Sequence, residues 1–274
     1  MNWNAIWAIV SKDLMVVRRS KPVMLPILLL PVVVLVLAPI GVIFAAQHET
    51  TARETIQEFD RFLDQMPAGL REAVDGRETD GEKMIVVTII YFMAPLYLII
   101  PLMIAAVIAA DSFAGEKERK TLEALLYAPM PDRELLVAKI LSSWIPAVAV
   151  GLVSFVVYGV LVNIVAWPVM GEMFFPTLMW VVLALWVAPA VAGLAQGVMV
   201  LVSSRVNTFQ EASQLGGLIV LPVILLVVGQ AAGVIYFSTR VVVLVGLVIW
   251  GINAALLKLA LDRFQRERLL LGGL

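Results

Sequence analysis

Charged side chains cluster in one segment of this sequence, residues 111–139, which reads DSFAGEKERKTLEALLYAPMPDRELLVAK. The segment carries 11 of the 41 acidic and basic residues and lies between two long apolar stretches. Leu122, Leu125 and Leu126 recur at three- and four-residue spacing, which places them on one face of a helix that ends before Pro129. The chemistry that this pattern predicts is non-covalent, because an apolar ridge between charges of both signs suits a groove on a partner protein. A helix packed on the chain's own surface would show the same pattern, and the spacing alone favours neither.

No pattern in the sequence predicts catalysis within the chain. The sequence lacks the Gly-x-x-x-x-Gly-Lys-Ser/Thr phosphate-binding loop and the HExxH and GxSxG motifs. With no cysteine, disulfides, thiolate nucleophiles and zinc-thiolate sites are excluded, and the single histidine, His48, has no partner set for a metal site. No nucleic-acid motif or basic-aromatic stripe is present. We therefore expect no enzyme activity, no bound metal and no nucleic-acid partner.

Composition indicates what kind of protein must position this segment. Apolar residues make up 61% and charged residues 15% of the 274 residues, whereas soluble domains have roughly half and about 25%. Six continuously apolar stretches are each long enough to cross a bilayer core of about 30 Å, which takes about 20 helical residues. These stretches are 23–46, 84–110, 137–166, 174–202, 213–235 and 241–262. We predict an all-α polytopic membrane protein in which residues 1–274 form a single transmembrane domain of six transmembrane helices.

The distribution of lysine and arginine predicts the orientation of the chain. Six spans put both termini on one side of the membrane, and cytosolic segments are enriched in Lys and Arg. If the termini are cytosolic, the inside holds 14 Lys and Arg residues and the outside holds six, five of which lie in the loop 47–83. We therefore predict that both termini are cytosolic (N-in/C-in). The first apolar stretch lacks a small-x-small cleavage site, so we expect it to remain as a membrane helix rather than a cleaved signal peptide.

Two further elements flank the first span. Residues 2–20 predict an amphipathic helix in the membrane interface, with tryptophan at headgroup depth. Its apolar positions are Trp3, Trp7, Val10, Leu14 and Val17, and its basic residues are Lys12, Arg18, Arg19 and Lys21. The pattern leaves open whether this helix only anchors the chain or also touches a partner. The extracytoplasmic loop 47–83 has helical spacing on both sides of Pro67–Gly69, which predicts a small helical hairpin.

The predicted spans contain no ionisable residue away from their ends, which argues against proton- or ion-driven transport. Energy for transport would then have to come from outside the spans. The polar residues inside them are amides, which form interhelical hydrogen bonds more often than substrate contacts. These candidates for a substrate path are Asn163, Gln196, Gln230 and Asn253. Gly229 and Gly233 form a small-xxx-small pattern, which makes them a candidate contact between two subunits.

Residues 111–139 resemble the signature loop of the type-2 ATP-binding-cassette (ABC) transporter permease family. That loop typically reads Glu-x-Glu-x-Gly-Thr-Leu-Glu-x-Leu-Leu-x-x-Pro and follows the second span. The matching residues are Glu116, Glu118, Thr121, Leu122, Glu123, Leu125, Leu126 and Pro129. Lys139 falls where the family often has a Gly-Lys pair, with Ala138 in place of the glycine. Lys120 replaces the glycine of the loop, which allows a continuous helix at the point where the family bends.

The resemblance implies the permease subunit of an ABC exporter in a prokaryotic cytoplasmic membrane. In that family two permease subunits, identical or different, pair in the lipid bilayer. Each engages a separate ABC ATPase through a coupling helix, which here would lie in the cytosolic loop 111–136. ATP and magnesium would bind to the ATPase, and this chain would hold no cofactor. The implied ATPase contacts are Glu116, Lys117, Glu118, Arg119, Thr121, Leu122, Glu123, Leu125 and Leu126. The connection Ser203–Gln214 matches the position of a lesser contact.

Two other functions fit parts of the sequence. A secondary transporter or channel is disfavoured by the lack of intramembrane charge. A membrane subunit that anchors or assembles an ATPase complex without moving a solute would need the same coupling helix, so the sequence does not separate it from the permease. For the permease, the uncharged spans favour a hydrophobic or amphipathic substrate.

Overall fold

The computed structural model describes residues 2–47, 74–121, 131–203, 205–232 and 234–263. Within these ranges the chain is helical, contains no strand, and has six helices that are long and apolar enough to cross a membrane. A shorter helix, α1 (Trp3–Arg19), comes first. The six long helices are α2 (Lys21–Ala45), α3 (Asp80–Glu118), α4 (Arg133–Met170), α5 (Leu178–Ser203), α6 (Phe209–Ala231) and α7 (Thr239–Ala260). The predictions of an all-α protein and of six transmembrane helices are confirmed.

Helix α3 is longer than the span predicted at 84–110, because it continues without a break to Glu118. The first residues of the predicted coupling loop therefore belong to the same helix as the second span. The two parts are joined by a wide, π-helical turn at Asp111–Gly115. This end of α3 is thus a direct continuation of a long apolar helix.

Helix α3 lies at the centre of the bundle and contacts α2, α4, α5 and α6. A second π-helical turn, Val86–Phe92, leaves backbone carbonyls of α3 available to neighbouring helices. Tyr158 of α4 donates its hydroxyl to the carbonyl of Ile89 at 2.7 Å. Trp180 of α5 donates its indole N–H to the carbonyl of Ile90 at 2.7 Å. These bonds fix α4 and α5 on α3. Ile89 and Ile90 are buried, so their free carbonyls need partners from within the protein.

Helix α1 packs one face on the start of α4. The buried contacts join Ile6, Ile9 and Val10 of α1 to Leu135 and Ala138 of α4. Trp3 and Trp7 lie beside this face and are 54% and 51% exposed. The sequence pattern placed these tryptophans on one apolar face with Val10. The structure divides that face into an aliphatic part on α4 and a tryptophan edge that remains exposed.

Glycine residues mediate the contact between α5 and α7. A Cβ atom at Gly193 of α5 would lie 2.8 Å from the Nδ2 atom of Asn253, and one at Gly197 would lie 2.9 Å from the Cδ1 atom of Leu256. One glycine of α7 has the same role: Gly246 leaves the space that the indole ring of Trp186 on α5 occupies. This is the close helix approach that small residues allow in membranes.

The connection before α3 is described only from Val74 onward, so the predicted hairpin and His48 lie outside the described residues. Thr79 begins α3 by accepting a hydrogen bond from the backbone N–H of Glu82 at 3.2 Å. Arg77 binds Glu172, in the connection between α4 and α5, at 2.6 Å. This ion pair ties the two connections at that end of the bundle.

Candidate functional site

The end of α3 turns sharply at Lys120. The backbone N–H of Lys120 donates to the carbonyl of Lys117 at 3.1 Å, and that of Thr121 donates to the carbonyl of Glu116 at 3.0 Å. The first bond spans three residues and the second spans five, which together form a Schellman motif. The turn residue of this motif is usually glycine in the left-handed region. Lys120 adopts this conformation, with φ of 57°. The continuous helix that lysine would allow at this position therefore does not form. The chain bends at Lys120, where the resemblance described above has a glycine.

The leucines of the predicted ridge follow this turn in the sequence. Leu122, Glu123, Leu125 and Leu126 lie outside the described residues, so their predicted contact with an ATPase stays a prediction. Thr121, Lys120, Arg119 and Glu118 are exposed.

Glu116 is buried, with 4% of its surface exposed, and is bound within the chain. Its Oε2 atom lies 2.5 Å from the Nζ atom of Lys139, at the start of α4. Its Oε1 atom accepts a hydrogen bond from Lys12 of α1. The carboxylate of Glu116 thus joins α3 to both α1 and α4.

Lys139 is the second buried centre of this cluster and is only 1% exposed. Besides Glu116, its ammonium lies 3.2 Å from Oδ2 of Asp13 and donates to the carbonyl of Ser112 at 3.0 Å. Three acceptors match the three donors of an ammonium group. The hydroxyl of Ser112 donates to the same Asp13 oxygen at 2.9 Å. A buried charge is tolerated when it is paired and hydrogen-bonded in this way.

Lys12 completes the charge balance of the cluster. Burial lowers the pKa of its ammonium, but Glu116 and Asp13 more than offset this, so the pKa is raised and Lys12 stays charged at neutral pH. Lys12 also lies 3.3 Å from Oδ1 of Asp13. Two lysines and two carboxylates therefore neutralise one another. We call Lys12, Asp13, Glu116 and Lys139 the buried ion cluster, of which Lys12, with 45% of its side chain exposed, is the one member that solvent reaches.

A separate ion pair supports the turn itself. Arg119 donates to Oδ1 of Asp111 at 2.9 Å, and Asp111 is 4% exposed. The hydrogen bond that Arg119 donates to Asp111, opposed by partial burial, raises the pKa of Arg119 above its already high ordinary value. Gly115 leaves room for the pair, because a Cβ atom there would lie 2.8 Å from the Asp111 oxygen and 3.2 Å from Arg119 Nη1.

Lys117 and Glu118 bind the connection that precedes α6. Lys117 donates to the carbonyl of Val206 at 3.2 Å, and Glu118 accepts the backbone N–H of Phe209 at 2.9 Å. A carboxylate at the first turn of α6 satisfies a free N–H and complements the helix dipole. The two predicted partner-contact regions, 111–136 and 203–214, thus touch each other within the chain.

The structure therefore brings Glu116, Lys117, Glu118 and Arg119 together, and each of these side chains has a partner in the chain. Sequence reasoning missed the partners Asp13, Asp111 and Ser112, and it noted Lys139 only by resemblance. One signal was present: Asp13 falls on the same face of α1 as the buried Ile6, Val10 and Val17.

The four amides predicted for a substrate path have different surroundings. Asn163 is saturated by the chain: its Nδ2 donates to the carbonyls of Gly159 and Phe175 at 2.8 and 2.7 Å, and its Oδ1 accepts from the N–H groups of Phe174 and Phe175. Asn163 therefore holds the connection after α4.

The other three amides are less satisfied. Asn253 donates to the carbonyl of Ala190 at 2.7 Å, and Gln196 donates to Ser143. Gln230 is 6% exposed, and neither of its amide atoms has a hydrogen-bond partner within the described part of the chain. No hydrogen bond joins any two of these four described amides to each other.

Gly229 packs against its own chain. Its carbonyl accepts the N–H groups of Val234 and Ile235 at 2.9 and 3.1 Å, and a Cβ atom at Gly229 would lie 3.0 Å from Cδ1 of Ile235. Gly233 lies outside the described residues. A contact between subunits at Gly229 and Gly233 stays a prediction. The space beside Gly229 is filled by Ile235 of the same chain, just after the end of α6.

An open groove runs along α4 near its last turns. It has a volume of about 750 Å³ and is lined almost entirely by apolar side chains, among them Phe155, Val160, Trp167 and Phe175. Asn163 is its one amide, and that amide is already saturated. The groove therefore offers shape and apolar contact rather than charge.

Comparison with known protein families identifies the family of this chain. The family model described as "ABC-2 family transporter protein" matches residues 7–261, which is nearly the whole chain. A comparison with curated proteins finds no match. The matched range includes the buried ion cluster and all six long helices.

Proposed function

Because this chain belongs to the ABC-2 transporter family and is the membrane subunit of an ABC transporter, we propose that it is the permease of an exporter driven by a separate ATPase. Both termini lie in the cytosol, in a prokaryotic cytoplasmic membrane. The ATPase binds ATP and magnesium and docks on the coupling segment 116–126. This chain supplies the path and hydrolyses nothing.

The end of α3 is the observation that carries this proposal. It continues the central membrane helix and is bonded to three other helices: α1 and α4 through Glu116, and α6 through Glu118. A segment attached in this way can pass an applied displacement to several helices at once. A solvated loop packed loosely on the bundle could not.

The side chains available to a partner are those at and after the bend. Arg119, Lys120 and Thr121 are exposed at the point where the chain leaves α3, and the leucine ridge of Leu122, Leu125 and Leu126 follows directly. The charges fix the register of the partner, and the ridge supplies apolar area to a groove.

The orientation rests on charge. The end of the bundle that holds the buried ion cluster also carries the exposed Arg18, Arg19 and Lys21. Such an excess of Lys and Arg is typical of cytosolic segments. This excess supports a cytosolic position of the coupling segment, where a soluble ATPase is available.

The permease works with a second permease subunit, as its family does, and its cargo is hydrophobic or amphipathic. Apolar side chains remain exposed on one face of α4 and of α6, as expected of helices that face lipid or another subunit. They include Val153, Val156, Val160 and Ile164 on α4, and Leu221, Ile224, Leu225 and Val228 on α6.

A subunit that only anchors an ATPase would have the same coupling segment. Stimulation of ATP hydrolysis by a transported solute distinguishes the permease from such an anchor.

Co-purification tests the proposal. The full-length chain, affinity-tagged and extracted from its native membrane, should retain a phosphate-loop ATPase. Replacement of Leu122 and Leu125 by Asp should release this ATPase while membrane insertion is unchanged. The matched control replaces both by Met, which keeps the ridge apolar and should keep the ATPase bound. Equal retention by the Asp and Met variants would refute the docking site.

A further inference from the structure

We propose that Lys139 is a positioning residue that joins the coupling segment to α1 and α4, so that the three move as one body when the ATPase pulls. The inference rests on the function proposed above and goes beyond it, because it assigns the transmission of movement to a side chain that the ATPase cannot reach. Lys139 is 1% exposed.

The contacts of Lys139 join three elements at this end of the bundle. From α4 its ammonium binds Glu116 and the carbonyl of Ser112, both in α3, and Asp13 in α1. Each of its three donors thus has one acceptor, and no donor is left for water or a partner. The link between α1 and α4 has a second point, where the backbone N–H of Asn2 donates to Glu134 at 3.1 Å.

Apolar packing alone would not do the same work. Aliphatic contacts such as those of Ile6 and Ile9 with α4 are non-directional, so helices that share them can slide and rotate. Hydrogen bonds between charged groups are short and directional. A buried ion pair is a weak source of net stability, since well-packed apolar residues often replace it without loss. Its distinguishing property here is a fixed geometry among three elements.

The charge of the cluster suggests a variant that separates geometry from stability. Lys139→Met removes one cation and leaves Asp13 and Glu116 with Lys12 alone. Lys139→Met combined with Asp13→Asn leaves one cation, Lys12, opposite one carboxylate, Glu116. Charge balance is restored in the double variant, but the link from α4 is still absent.

The experiment uses the full-length chain co-expressed with the ATPase that co-purifies with it, reconstituted in vesicles. Three quantities are measured: the amount of ATPase bound, the ratio of ATP hydrolysis by the complex to that by the free ATPase, and the thermal midpoint of unfolding. Lys139→Met should lower the midpoint and abolish the change in hydrolysis that the permease confers. The double variant should regain the midpoint and bind a normal amount of ATPase, but it should remain uncoupled.

The outcomes are distinct. Normal coupling in Lys139→Met, or recovery of coupling together with the midpoint in the double variant, would show that Lys139 acts through stability or charge balance, and the inference would be wrong. If the wild-type chain binds no ATPase, the proposed function itself fails and the inference falls with it. Normal docking with lost coupling in the double variant supports the inference.

Discussion

The ammonium of Lys139 lies 2.5 Å from the Oε2 atom of Glu116, although the two residues are 23 positions apart and both are buried. Lys139 stands at the start of α4, and Glu116 stands in the last turn of α3. The charged residues that end α3 are therefore anchored inside the chain, and the segment that follows them extends from a fixed base. Four predictions follow from this arrangement and from the packing around it.

Neutralising Glu116 should destabilise the protein. Glu116→Gln keeps the shape of the side chain but leaves Lys12 and Lys139 with one carboxylate, Asp13. Loss of one partner of a buried ion pair costs about 3 kcal/mol, so the thermal midpoint in detergent should fall clearly. The control is Glu118→Gln, because Glu118 is exposed and a glutamine oxygen can still accept the N–H of Phe209. The charge that is lost there, at the first turn of a helix, contributes about 0.3–1 kcal/mol. Equal shifts for the two variants would contradict the assigned role of the cluster.

Replacing Lys120 by Gly should not destabilise the bend and is expected to stabilise it. The left-handed conformation costs a residue with a Cβ atom about 1 kcal/mol, and glycine avoids this cost. Lys120→Val should be destabilising, because a β-branched residue adopts positive φ least readily. Thermal midpoints of the two variants test the prediction. A lower midpoint for the Gly variant than for the Val variant would show that the bend does not depend on this conformation.

Adding a methyl group at Gly246 should disturb the contact between α5 and α7. The new Cβ atom would overlap the indole ring of Trp186, which also contacts the ring of Trp250 on α7. Overpacking of this kind costs about 1–3 kcal/mol. Gly251→Ala on the same helix is the matched control, since no atom lies within 4 Å of a Cβ atom there. The thermal midpoint should fall for Gly246→Ala and be unchanged or higher for Gly251→Ala.

Cysteine labelling should establish the orientation, because the natural chain has no cysteine to interfere. Asp75→Cys and Thr121→Cys place single thiols at exposed positions near opposite ends of α3. A membrane-impermeant maleimide should label position 75 in intact cells and position 121 only after the membrane is opened. Labelling with the opposite pattern would place the coupling segment outside, where no ATPase is available.

Much of the architecture could be predicted from local patterns. Each of the six helices is long and apolar by itself, and crossing a membrane depends on that local property rather than on neighbouring residues. The turn at Lys120 shows the limit of local reasoning. Lysine favours a continuing helix, but the two backbone bonds from Lys120 and Thr121 close the turn, and the ion pair of Arg119 with Asp111 supports it.

Which side chains contact each other was decided by the tertiary structure. The sequence contains several small-residue pairs, and nothing in the linear pattern states that Gly193 meets α7 whereas Gly229 meets its own chain at Ile235. The charges at 116–119 looked available to a partner, yet each is bound within the chain. Glu116 binds α1 and α4, Lys117 and Glu118 bind Val206 and Phe209 at the start of α6, and Arg119 binds Asp111 of α3. Apolar length is a property of one helix, so the sequence by itself determined that this protein spans a membrane six times. The hydrogen bonds of Lys139 join groups that lie far apart in the sequence. Only the packing of the helices therefore determined that Lys139, Glu116 and Asp13 form one cluster.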